Sequence, residues 1–227
     1  MKEYDTLLWY KEVIARMSSE EIEELKQERI DNGSYDKFCE TLGGTPEEIK
    51  RKYNNKPLTE VKEWITEYLE KPNENFGGMP VCPFVKAERE KDELMFEIWY
   101  PNETSFVEIL KKFKDSNFSS ALIICMNTKG ILWEEVDRKK YQKTIQSLMK
   151  EQGYKDIKAL CFSPFEHHTA AGEETRKGTP YFLINIAGRD DLNKAHRKLL
   201  KTSYFDKFSD EEVKTLKVYP KNKEEKA

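Results

Sequence analysis

The spacing of apolar residues changes character about a third of the way along the chain. Up to Lys71 the pattern is helical. Ser18 with Glu21, and Thr45 with Glu48, each set a hydroxyl three residues before a carboxylate, the arrangement in which two side chains cap one another's backbone N–H groups. Pro46 then suits the first position of its helix, where an N–H would have no partner. Thr59 is expected to open a further helix, in which Val61, Trp64, Ile65, Tyr68 and Leu69 recur at the spacing of one buried stripe. Asp31-Asn32-Gly33-Ser34 and Leu42-Gly43-Gly44 read as turns between helices.

Between Lys71 and Pro80, two prolines and the pair Gly77-Gly78 interrupt this pattern, which predicts a boundary there: a helical extension over 1–71 and a core domain over 72–227. Beyond it the apolar runs shorten and become aromatic and β-branched. Leu94 to Tyr100, Ala121 to Met126, Ile157 to Phe162 and Tyr181 to Ile186 are expected strands. One helix fits between the first two, where Phe106, Ile109, Leu110 and Phe113 share a face, and another fits around Val136 to Met149. Asp190 or Asp191 is expected to cap a last long helix, and Ser209 with Glu212 to begin a short one. The order strand-helix-strand-helix-strand-strand-helix argues for an α+β fold of α/β-like character: a central sheet of about four strands covered by helices, its last two strands in a hairpin-like or antiparallel relation. The unbroken apolar run of the second strand predicts burial on both faces.

Charged residues make up 36% of the chain, yet 12 Phe, 11 Tyr and 4 Trp supply a core that disordered chains lack. With 39 basic and 42 acidic side chains the net charge is −3, and no stripe of Arg and Lys suggests a nucleic acid or an anionic membrane as partner. No run approaches the ~20 apolar residues of a membrane span. Cys39, Cys82, Cys125 and Cys161 show no C-x-x-C spacing, and the charged opening Met1-Lys2-Glu3 is unlike a secretory leader. The expectation is a soluble cytoplasmic protein with free thiols.

Two segments have the residue types for chemistry. In Val81-Cys82-Pro83-Phe84-Val85, Pro83 suits a first helical position, so Cys82 is expected at the cap, where unpaired N–H groups favour a thiolate. In the long loop after Phe162, Glu166, His167 and His168 are adjacent, with Glu173, Glu174 and Arg176 downstream. Cys82 as nucleophile, His167 or His168 as base, Glu166 orienting it and Arg176 contacting an anion would serve an enzyme acting on a small molecule or a peptide. His167 and His168 with a carboxylate or Cys82 could instead hold a divalent metal such as iron, copper or zinc, although their spacing is not that of H-E-x-x-H. His196 lies with Leu192, Ala195 and Leu199 on an apolar helical face and reads as structural. Arg189 and Arg197 are further candidates for an anion contact. A third function class is a non-catalytic interaction protein that docks through its N-terminal helices. Phosphate-binding loops and nucleophile elbows are missing from the sequence.

Val81-Cys82-Pro83-Phe84-Val85, Phe162-Ser163-Pro164, Ala171-Gly172 and Thr179-Pro180-Tyr181-Phe182 together resemble, in order, the motifs of the bacterial family numbered 1415 among domains of unknown function. The resemblance implies the sheet and Cys82 as a family position, but no reaction. The family's histidine falls on Ser163, with His167 and His168 nearby, and the helical first third has no counterpart. The chain also resembles proteins of tailed phages of marine bacteria, and its preference for Lys over Arg fits an AT-rich genome.

Overall fold

The structure, a computed structural model, describes residues 3–128, 130–165, 169–174 and 178–217. It divides into two compact units, 1–60 and 61–227.

The first unit holds α1 (Glu3–Arg16), α2 (Ser19–Asp31), α3 (Tyr35–Leu42) and most of α4 (Pro46–Trp64). Both expected capping boxes form. Glu21 N–H donates to Ser18 Oγ at 3.1 Å and Ser18 N–H to Glu21 Oε2 at 2.7 Å. Thr45 N–H donates to Glu48 Oε2 at 2.9 Å, with the reciprocal bond at 3.3 Å. Gly43, at φ 72°, ends α3 in the left-handed conformation that a side chain resists. Ile14, Leu42 and Ile49 form a small core flanked by Leu25, Phe38 and Tyr53. Thr59 does not open a helix. α4 runs through Pro57, which forgoes a single N–H bond, and Thr59 donates its hydroxyl to the Asn55 carbonyl instead.

The second unit begins inside α4, so Val61 to Lys71, expected with the extension, belong with the sheet. After Trp64 the helix widens into a π-turn, Ile65–Leu69, closed by Glu70 N–H donating to the Ile65 carbonyl at 2.9 Å. Val61 and Ile65 are buried, as the stripe predicted. The Pro–Gly segment is a packed loop: Pro72 pairs with Pro80, and Phe76 packs with Val81 and Tyr204.

Then follow α5 (Val85–Glu90), β1 (Leu94–Trp99), α6 (Phe106–Lys114), β2 (Ser120–Cys125), α7 (Arg138–Glu151) and β3 (Ile157–Phe162). A two-stranded ribbon, β4 (Thr169–Ala170) and β5 (Glu173–Glu174), precedes β6 (Phe182–Gly188), α8 (Arg189–Leu199) and α9 (Asp210–Lys217). The main sheet has the order β1-β2-β6-β3. β1 and β2 are parallel, and β6 is antiparallel to both β2 and β3. The fold is thus α+β, and β2, flanked on both sides, is buried along its whole length as expected.

Alternation along each strand sends Met95, Ile123, Ile184, Ala159 and their neighbours to one face, where Phe106, Ile109, Leu110 and Phe113 of α6 and Ile145 and Met149 of α7 cover them. Because β6 is reversed between β2 and β3, the carboxyl ends of β1, β2 and β3 gather at one edge, where Phe162 leads into the long loop. Asp190 and Asp191 do not cap α8. Gly188 takes that place without a side-chain bond, and the two acids lie in the first turn. Ser209 and Glu212 form the expected box on α9, with Glu212 N–H donating to Ser209 Oγ at 3.3 Å. Among the described residues no helix is long and apolar enough to cross a membrane.

Candidate functional site

Cys82 is partly buried in a bend ahead of α5. The helix begins two residues later than Pro83 suggested, with Phe84 at the cap position. Two elements hold Cys82. Its N–H donates to the Leu69 carbonyl at the end of the π-turn, 3.1 Å away, and Tyr204 Oη donates to the preceding carbonyl, that of Val81, at 2.6 Å. The sulfur meets the backbone N–H groups of Phe84 and Val85.

The electrostatics oppose the expected thiolate. Burial pushes the Cys82 thiol above its ordinary range, the carboxylates of Glu88 and Glu70 push the same way, and the two N–H groups offset only part of this. Tyr204 is raised as well, by burial first and then by Cys82. The free protein therefore holds a neutral thiol beside a neutral phenol.

Around the thiol stand residues that the sequence did not single out. Glu70, whose side chain is only 9% exposed, accepts a forked pair of bonds from Arg89 at 2.8 and 2.9 Å. Glu88 accepts from Ser120 Oγ at 2.6 Å, which ties α5 to the first residue of β2. Burial, followed by the charges of Glu93 and Asp191, raises the Glu88 pKa against the pull of that hydroxyl. Partners nineteen and thirty-two residues apart leave no local pattern to read. The π-turn is a structural pointer, since such insertions often mark functional positions, but the regular stripe from Val61 to Leu69 gives no sign of it in the sequence.

Glu166, His167, His168 and Arg176, expected to share the site, lie outside the described residues. The loop that carries them leaves β3 at the carboxyl edge, whereas the Glu88–Ser120 bond lies at the start of β2, the opposite edge. Helical residues 61–69 reach toward both. A Cβ on Gly178, at the far end of that loop, would lie 3.7 Å from Trp64, and Leu69 holds Cys82. Among the described residues no group of histidine, cysteine, aspartate and glutamate could hold a metal ion, and the divalent metal expected at His167 and His168 falls outside them. His196 sits partly buried with its ring edge-on to Phe205, centroids 5.4 Å apart. All four cysteines are free thiols.

A family model described as a domain of unknown function (DUF6875) matches residues 58–128. The match takes in the π-turn, the Cys82 segment, Glu88 and the β1-α6-β2 unit, and stops before Phe162-Ser163-Pro164 and the other late motifs of the resemblance to family 1415. Neither a curated protein nor a solved structure matches the chain.

Proposed function

We propose that residues 61–227 form a thiol-dependent enzyme that modifies a small molecule or a peptide, with Cys82 as its nucleophile. The observation that carries this reading is the sulfur's position against the N–H groups of Phe84 and Val85, donors that favour the anion once the proton has left. Burial and the acids keep the resting thiol neutral, so the nucleophile needs a base. Glu88, with its raised pKa, is a stronger base than an ordinary carboxylate. An imidazole of His167 or His168, oriented by Glu166 and with Arg176 holding an anionic part of the substrate, is the other source. In either case the base takes the thiol proton, sulfur attacks an electrophilic carbon, and the group that departs receives the proton.

The test is incubation of the full chain and its Cys82→Ser variant with fractionated small-molecule and peptide extracts. Mass spectrometry then follows both the extract and the Cys82 peptide. The expected result is a set of species consumed by the wild type and spared by the variant, with a transient added mass on Cys82. Equal consumption by both proteins, or by neither, would overturn the reading. Glu88→Gln and His167→Ala variants then separate the two bases.

A second reading is supported by the first unit, which has a core of its own in Ile14, Leu42 and Ile49. It is a non-catalytic interaction module, and a partner captured by the full chain but lost on deletion of residues 1–60 would support it.

A further inference from the structure

Away from Cys82, a groove of about 420 Å³ opens between the second half of α7, the turn that follows it and the start of α8. This volume lies in the range of small-molecule sites, roughly 300–1,000 Å³. Ile157 and Tyr154 supply an apolar floor, and Lys150, Lys155 and Arg189 supply three positive charges. We propose that this groove binds a small phosphorylated molecule with a planar or apolar part, of the kind a nucleoside monophosphate represents.

The lining is built by local rules. Gly153, at φ 84°, ends α7, with its N–H donating to the Lys150 carbonyl at 3.1 Å and the next N–H, of Tyr154, to the Met149 carbonyl at 2.8 Å. These two hydrogen bonds fix the backbone at Tyr154, whose side chain packs on the core. Arg189 is fixed by its own N–H, which donates to the Asp156 carbonyl at 2.8 Å. Ile157, 3% exposed, belongs to the core beneath the groove.

The charges are there without partners of opposite sign. Among the described residues Lys150, Lys155 and Arg189 make no ion pair, and the carboxylate of Asp156 is turned to Lys114 at 2.7 Å. Lys150 also suits the negative end of the α7 dipole, but neither Lys155 nor Arg189 has that duty. The field of Arg189 reaches Lys158, whose ammonium is held below the usual lysine range by burial first and then by this arginine. Three cations line one groove, an arrangement that attracts a phosphate, and a guanidinium such as that of Arg189 can meet two phosphate oxygens at once. Tyr154 and Ile157 among the lining residues give the groove an apolar part, which suits a ring attached to the phosphate.

The experiment is calorimetric titration of the full chain with adenosine 5′-monophosphate, inorganic phosphate and adenosine, in parallel with a K155Q/R189Q variant altered at two residues that line the groove. The nucleotide is expected to bind more tightly than either fragment. Its affinity should fall at least tenfold in the variant and weaken with added salt. Amide shifts at Gly153 to Ile157 and at Arg189 on addition of the nucleotide supply a readout that does not depend on the variant. No binding of nucleotide or phosphate near physiological salt, equal binding by wild type and variant, or shifts confined to other residues would overturn the proposal.

Discussion

Glu88 and Cys82 are neighbours whose acidity is shifted in the same direction, and for Glu88 this makes stability depend on pH. Burial, Glu93 and Asp191 raise its pKa in the fold above the unfolded value. The stability that protonation confers is then fully present below the ordinary carboxyl range and is lost as pH rises through the folded value. Gln at this position keeps an oxygen to accept from Ser120 and carries no charge. Glu88→Gln is expected to be more stable than wild type at pH 7, by on the order of 0.5 kcal/mol after allowing for screening, and indistinguishable from it near pH 4, measured by urea midpoints. A wild-type advantage at pH 7 would refute this account of Glu88. Arg89→Ala removes the partner of the nearly buried Glu70. The expected loss is about 2 kcal/mol, below the 3–5 of a fully buried pair because Arg89 is 31% exposed.

At the scale of elements, the capping boxes and the helix stripes were legible because each is a local pattern; Ser105 and Glu108, not singled out from the sequence, form a further box on α6, with N–H bonds of 2.7 and 3.3 Å. Leu110, fully buried between α6 and the sheet, depends on tertiary packing instead. Ser105→Ala should cost about 1 kcal/mol and Leu110→Ala about 3 kcal/mol, read from denaturant curves. The reverse order would mean that α6 is held by its cap rather than by its apolar face. The loop after the π-turn shows the opposite case. Gly77 has φ 64°, and a Cβ there would come within 2.5 Å of the Ser203 carbonyl oxygen. Gly77→Ala is expected to destabilise by at least about 1 kcal/mol, where a gain in stability would show that the Ser203 turn yields freely. In the sequence, paired glycines beside prolines signal a break equally well for a linker and for a packed loop. Only the contact with a residue more than a hundred positions away distinguishes them.

For the whole molecule, the division after Glu60 makes a definite claim about truncation. Deletion of residues 1–60 should leave a chain with a cooperative thermal transition and native-like circular dichroism. Deletion through Lys71 removes Val61 and Ile65, both fully buried, together with Glu70, and should abolish that transition. If both truncated chains melt alike, the stripe from Val61 to Leu69 is not part of the second unit's core. By itself the sequence determined most of the helices, the four main strands, the burial of β2 and the antiparallel last pair, because periodicity and caps act over a few residues and connection rules over one element. It also singled out Cys82 as a candidate. The insertion of β6 between β2 and β3, the passage of α4 through Pro57 and the company of Cys82 were decided by tertiary structure, because they rest on packing and hydrogen bonds between residues distant in the chain. The protonation of that thiol belongs with them, since it depends on desolvation and on two carboxylates that only the folded chain brings near.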